Sequence, residues 1–501
     1  MSMKSLVKPL STGADWTLEL LYAYDREISR IAHDFRLDTY PNQIEVINAE
    51  QMLDAYAAVG MPIGYHHWSF GKHFVGIEKN YKRGYMGLAY ELVINSNPCI
   101  SYLMEENTMA MQALVIAHAC YGHNSFFKGN YLFKMWTAAD AIIDYMVFAK
   151  NYIAECEERY GIDAVEALLD SCHVLMNYGV DRYKHPTALS LNAEKIRQQN
   201  REIYLQSQID ELWRKTVART NPRAMSENID HFPAEPQENI LSFIEQNAPL
   251  LKPWQREIIH IVRNMSQYFY PQKQTKVMNE GWACFWHYTI LHALYDEGLV
   301  TDEFMLEILQ IHTNVILQPA YDSKEYTGIN PYTLGYNMMQ DIRRICENPS
   351  AEDLQWFPYL AHTDWYSSLD KAMRDFKDES FIAQYLSPKL IRELKFFQVI
   401  DDDQKEELII GAIHDDMGYQ IIRDSLARQY NLGHLEPDIQ VCTVELDGDR
   451  TLVLHYTQHN RIPLSKHTRD ILKHLHILWQ FPIKLCVMDV HGSINMEYSF
   501  P

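Results

Sequence analysis

The eight cysteines of the 501-residue chain, Cys99, Cys120, Cys156, Cys172, Cys284, Cys346, Cys442 and Cys486, never form a C-x-x-C pair. They are scattered, mostly inside apolar periodic runs, and so read as buried thiols of a reducing compartment rather than a disulfide framework. No run approaches the roughly 18–20 apolar residues that a bilayer span requires. Met1 to Leu10 also lacks the apolar stretch of about 7–15 residues that marks a secretory signal. Basic charge is scarce: 45 Lys+Arg face 66 Asp+Glu, a net charge of −21, and no local basic cluster offsets it. That balance repels phosphate backbones and excludes a general nucleic-acid role. A Gly-rich phosphate loop, a serine-nucleophile signature and a Cys–His pair are all missing. The 47% hydrophobic and 22% charged content is that of a folded protein. The expectation is an acidic, cytoplasmic chain of about three folding units.

Helical spacing dominates up to about residue 390. From Thr137 to Tyr160, apolar residues such as Ala141, Tyr145, Phe148 and Tyr152 recur at three and four. Gly161 supplies a stop, and Asp163 with Glu166 resembles a capping box for a helix that Gly179 closes. A more polar helix is expected over 190–219, followed by a Pro-, Asn- and Glu-rich linker from Asn221 to Gln237. Trp254–Tyr270 and Val277–Tyr295 read as helices separated by Pro271.

Beyond about Phe396 the texture changes to strands. Val399 and Ile400 lead into an acidic turn, Asp401-Asp402-Asp403. Ile439–Leu446 and Thr451–Tyr456 flank Asp447-Gly448-Asp449, a hairpin signal because Asp-Gly suits positive φ. Ile483–Val490 and Ile494–Phe500 form a last hairpin across His491-Gly492. Helical patterns at Tyr419–Tyr430 and Ser465–Trp479 complete a ββα-ββα-ββ order, expected to give a small antiparallel sheet with helices on one side. The fold class is therefore α+β: a mainly helical region, 1–390, with a subdivision near 220–237, then a C-terminal α/β domain, 391–501.

Histidine, with 22 copies, is the residue type that points to chemistry. Thr108 to His123 reads as a buried helix ending in His118 and His123. A helical chelate places its rings at i and i+4; a spacing of five puts them about 140° apart on an ideal α-helix. Sharing one ion requires a π-bulge, or an end to the helix at Gly122. The alternative is one core histidine and one capping histidine. Glu280 and His287 are seven apart, on one helical face but about 10.5 Å apart along its axis. One of them is then a ligand and the other its hydrogen-bonding or proton-donating partner, or else Glu280 complements a helix dipole and His287 fills an aromatic core.

Two histidines and a later glutamate resemble the ligand set of gluzincin-type zinc enzymes. The general-base glutamate of a H-E-x-x-H pattern is replaced by Ala119, so Glu105 or Glu106 upstream is the nearest acid. The glycine-bracketed loop Gly64–His73, with His66, His67, Trp68 and His73, reads either as a pocket wall or as a packed loop. Glu257 and His260 form a single E-x-x-H pair, short of the two that a di-iron bundle needs. Cys120 reads as a buried thiol, and Arg343 and Arg344 as partners of nearby acids.

Several segments together resemble the SpoVR family (stage V sporulation protein R and its proteobacterial homologues): LDTYPNQIEVI (37–47), GYHHWSFGKHF (64–74), LVINSNPCISYLMEENTM (92–109), IAHACYGHNSFFKGNYLF (116–133), YPQKQTKVMNEGWACFWHY (270–288) and FKDESFIAQYLSP (376–388). The resemblance spans about residues 15–500. It implies a link to the spore cortex in spore formers and to stress functions elsewhere, alongside a PrkA-type serine protein kinase and a von Willebrand A-like protein. His118, His123, Asn124 and Glu280 fall inside these segments. The leading expectation is a metal-dependent, distorted zincin-like hydrolase or transferase, acting on an amide bond of an envelope precursor. His118, His123 and Glu280 would hold zinc, iron or manganese, with His287 as proton-transfer group and Glu106 as the activating acid. His66, His67, Trp68, His73 and Asn124 would line the pocket. The competing expectation is a non-catalytic scaffold or regulatory partner of the kinase and the von Willebrand A-like protein.

Overall fold

The computed structural model describes residues 8–57, 63–67, 91–182, 232–233, 235–321, 323–400, 409–412, 414–431, 437–446, 448–457, 464, 468–489 and 492–500. The class is α+β, with helices over most of the described residues, three strands before residue 105 and six after residue 397. The chain divides into two compact units, each made of two stretches: Met1–Met135 with Pro271–Leu435, and Trp136–Tyr270 with Glu436–Pro501. The helix expected over 190–219 and most of the 221–237 linker lie outside the described residues. No helix among the described residues is long and apolar enough to cross a membrane.

The first unit is built around the helix Lys276–Asp296, which is apolar nearly all round and accordingly central. Trp282, Phe285, Trp286, Ile290, Leu291 and Leu294 on it are all buried. The helix Pro331–Glu347, capped by Asn330 with Pro331 in its first turn, crosses it. At the crossing two glycines meet: a Cβ on Gly335 would lie 2.0 Å from the Val277 carbonyl oxygen and 2.7 Å from Gly281 Cα. Only residues without a side chain allow two backbones this close. The N-terminus of Lys276–Asp296 is held by Asp378, whose oxygens accept from Val277 N at 2.8 Å and Met278 N at 2.9 Å. Burial pushes the Asp378 carboxyl up to about 7, against the pull of those bonds. Arg344 bridges Asp341 and Asp353, and Arg343 pairs with Glu347, so both arginines serve local acids.

A three-stranded sheet interrupts the region that spacing marks as helical. Its strands are β1 (Asn42–Ile47), β2 (Glu91–Ile94) and β3 (Cys99–Met104), in the order β1-β3-β2. β3 runs parallel to β1 and antiparallel to β2, with Glu91 opposite Leu103. Five of the six β3 residues are buried, so the strand reads as a continuous apolar run without alternation. Pro271 does not end its helix either. Pro253–Gln274 continues through it to the break at Thr275, whose hydroxyl donates to the Pro271 carbonyl at 2.8 Å.

β4 (Gln398–Ile400) and β5 (Ile409–Ala412) pair as a two-stranded antiparallel sheet of their own within the first unit, and the expected acidic turn between them lies outside the described residues. The four-stranded sheet of the second unit holds β6 (Asp438–Val444), β7 (Leu452–Thr457), β8 (Ile483–Met488) and β9 (Ile494–Phe500) in sequence order. Both expected hairpins are antiparallel, but β7 and β8 run parallel. The helix Thr468–Trp479 between them makes that pair a crossover rather than a hairpin, which the simple antiparallel reading did not include.

Elsewhere in the second unit Ile142–Tyr160 and Ile162–Val174 meet at Gly161, whose φ of +91° suits a residue without a Cβ. Gly161, not Asp163, stands at the N-cap of the second helix. His260 is absorbed in a buried network with Glu245, Arg263 and Asn264, which turns the E-x-x-H pair into a packing feature. All eight cysteines are free thiols, and all but the half-buried Cys442 are buried.

Candidate metal centre

Thr108 caps the helix Met109–Val115 through the Met111 N–H, and the chain then widens into a different spiral. Ile116–His123 is a π-helix, every residue of it buried. Its i→i+5 bonding brings a five-residue spacing to roughly one turn. His118 and His123 therefore lie on one face, ring centroids 4.6 Å apart and edge to face, instead of diverging. Gly122 permits the close approach of this segment to Lys276–Asp296, since a Cβ there would meet Ala283 Cα at 2.6 Å.

Two carboxylates complete the cluster. His118 Nε2 lies 3.1 Å from Glu91 Oε1 and 3.7 Å from Glu280 Oε2. His123 Nε2 lies 3.6 Å from each of the same two oxygens. Ligand atoms held tetrahedrally at about 2.0–2.2 Å from one ion sit about 3.3–3.6 Å apart, and the four histidine–carboxylate contacts, 3.1–3.7 Å, lie close to that. His118 Nε2 and Glu280 Oε2 are buried and have no hydrogen-bond partner among the described residues. Such atoms are costly unless something else satisfies them. Glu91, His118 and His123 alone already bring three ligand atoms within 4.8 Å of one another.

The other side of each imidazole is engaged. Asn279 Oδ1 accepts from His123 Nδ1 at 2.9 Å, which in the neutral ring leaves the lone pair at Nε2. His118 Nδ1 meets His287 Nδ1 at 2.8 Å, and His287 Nε2 meets His312 Nδ1 at 2.8 Å. Glu280, Cys284 and His287 share one helical face, and Cys284 joins His118 and His287 in a second group of close ligand atoms. The Tyr332 phenol hydrogen-bonds Glu280.

The charges are tightly coupled. Burial opposes a proton on His123, yet Glu91 and Glu280 outweigh it and raise its pKa from 6.5 to about 9. Burial likewise opposes ionisation of Glu280, but His118 and His123 hold it below its usual range. His287 is pushed well down by burial and by its imidazole neighbours, and His312 falls to about 4 for the same reasons. The site asks for positive charge, which a His123 proton or a metal cation can supply. In metal-free protein the His123 contribution to stability should be full below pH 6.5 and lost as pH rises through about 9. Urea midpoints measured in chelator from pH 6 to 10 should fall accordingly, and His123→Gln should flatten the profile.

Two of the other expected site residues, Glu106 and Asn124, are engaged elsewhere. Glu106 is exposed and accepts from the Ala49 N–H at 3.1 Å, so the acid beside the histidines is Glu91. Asn124 is buried but ties down the start of β1, bonding Tyr40 through both ends of its amide and Asn42 through its Nδ2. His66 is exposed and His67 buried, while Trp68 and His73 lie outside the described residues. Glu91, Asn279, His312 and Tyr332 are additions from the structure. The one hint for Glu91 is its place immediately before the LVINSNPCISYLM segment.

Residues 15–435 match the family described as SpoVR like protein, and residues 437–490 match the SpoVR-like C-terminal domain. The protein YcgB of Escherichia coli (strain K12) is 61% identical over 495 residues, covering 99% of this chain and 97% of YcgB. No solved structure matches.

Proposed function

The chain belongs to the SpoVR family, and from that premise we propose that it is a divalent-metal-dependent enzyme centred on His118, His123, Glu91 and Glu280. The observation that carries the reading is the convergence of buried His118 Nε2 and Glu280 Oε2, neither hydrogen-bonded among the described residues, with Glu91 and His123. Four donors of this kind, two imidazoles and two carboxylates, suit zinc, iron or manganese. Such an ion, when bound, supplies Lewis acidity and lowers the pKa of water.

The chain's own residues do the rest. His287 and Asn279 orient the two imidazoles from behind, as partners of metal-ligating histidines do. Tyr332 holds Glu280 by a hydrogen bond. Glu91, at the edge of a sheet, takes the place beside the histidines first expected of Glu106. The reaction class is hydrolysis or transfer at an amide bond of an envelope precursor, carried out in the cytoplasm and connected with cortex formation or stress response.

Elemental analysis of purified full-length protein tests this. Wild type should carry close to one equivalent of zinc, iron or manganese, and His118→Ala should lose it with an unchanged circular dichroism spectrum. A wild type without metal, even after reconstitution, would sink the reading in favour of a scaffold bound to the PrkA-type kinase and the von Willebrand A-like protein.

A further inference from the structure

Behind the carboxylates, three buried imidazoles stand in a row through two contacts of 2.8 Å, His118 Nδ1 to His287 Nδ1 and His287 Nε2 to His312 Nδ1. Each contact needs one N–H and one lone pair, and a neutral imidazole carries a single N–H. Three neutral rings can satisfy both contacts in two ways. In the first, the protons sit on His118 Nδ1, His287 Nε2 and His312 Nε2. In the second, they sit on His118 Nε2, His287 Nδ1 and His312 Nδ1.

The two arrangements differ at both ends of the row. The first presents a lone pair at His118 Nε2, where Glu91 Oε1 is 3.1 Å away, and so accepts a cation. It also leaves an N–H on His312 Nε2, a buried atom without a hydrogen-bond partner among the described residues. The second puts a proton on His118 Nε2 beside the carboxylates and leaves only a lone pair at His312 Nε2. Burying an unsatisfied donor is costly, so the second holds without a cation and the first is selected by one.

We propose that His287 and His312 are positioning residues that set the tautomer of His118, so that cation binding at Glu91 and Glu280 switches the tautomer of His312 two rings away. The inference rests on the metal reading above. Protons balance in the switch. One leaves His118 Nε2 for solvent, one passes from His287 Nδ1 to His118 Nδ1, and one from His312 Nδ1 to His287 Nε2. His312 Nε2 then takes one up from solvent, and the count is unchanged. His312, the only one of the three without a place in the sequence reading, becomes a determinant of affinity.

Full-length protein labelled with 15N-histidine reports ring tautomers directly in two-bond 1H–15N spectra. Zinc should move the proton in all three rings together, with assignments from single His→Gln variants. In direct titrations His312→Leu should weaken zinc binding by about 10–100-fold, the usual cost of removing a partner of a metal-bound histidine. His312→Gln keeps an acceptor for His287 Nε2–H and should stay close to wild type. A purely structural role would lower the melting temperature of the metal-free variants without separating their zinc affinities. Zinc bound with His312 unchanged in tautomer, or equal affinities for the Leu and Gln variants, would overturn the relay while the metal centre stands. Failure of wild type to bind zinc would overturn both.

Discussion

Glu280→Gln and Glu91→Gln should each weaken zinc binding by about 100-fold or more, beyond what the loss of a mere neighbour of a ligand costs. Both changes keep volume and shape, so the fold should survive. What is lost is a charged oxygen within 3.1–3.7 Å of the histidine nitrogens. The effect is legible in stability, because a ligand present at about 1,000 times its Kd adds about 4 kcal/mol. A 100-fold weaker variant at the same zinc concentration keeps only about 1.4 kcal/mol of that. Thermal shifts with and without zinc measure the difference. Glu106→Gln, at an exposed residue bonded to the Ala49 amide, should match wild type. A loss of zinc in that variant with retention in Glu91→Gln would reverse the assignment of the acid.

Gly335→Ala should destabilise the protein by about 3 kcal/mol or more, at the severe end for overpacking. The new methyl would sit 2.0 Å from a backbone oxygen and 2.7 Å from a backbone Cα, neither of which can swing aside as a side chain can. Relief requires the Pro331–Glu347 and Lys276–Asp296 helices to part. Glu280 is next to the contact at Gly281, and Tyr332 is one turn before Gly335, so zinc affinity should fall with stability. Gly13→Ala is the control, having no atom within 4 Å of a new Cβ; its urea midpoint should stay within about 0.5 kcal/mol of wild type. An unshifted midpoint in Gly335→Ala would show that the helices cross less closely.

The parts of this architecture carried by short-range patterning are legible in the chain. Asp-Gly marks the β6–β7 turn, and the three- and four-residue spacings mark the main helices. Sharing one ion at the His–His spacing required either a π-bulge or an end to the helix at Gly122, and a π-helix is what lies there. Residues brought in from far away were not legible. Glu91 sits on a four-residue strand with no spacing relation to His118, and proximity in sequence favoured Glu106 instead. His312 is a single histidine on the helix Asp302–Val315, with nothing local to separate it from the others. β3, buried along nearly its whole length, lacks the two-residue alternation that announces a strand. The pairing of β7 with β8 depends on where a crossover helix returns the chain, which local propensity does not encode.

The division of the first unit into two stretches has a consequence for how the protein is made. Glu91, His118 and His123 lie in the stretch that ends at Met135, whereas Glu280, His287 and His312 lie in the one that begins at Pro271. From His123 to Glu280 is 280 − 123 = 157 residues, and at roughly 5–20 residues per second a ribosome takes about 8–30 s to cover them. Throughout that interval the nascent chain holds one half of a buried polar cluster, and the Trp- and Phe-rich helix that will cover it does not yet exist. The early half must remain open, or be shielded by other factors, until synthesis has passed His312.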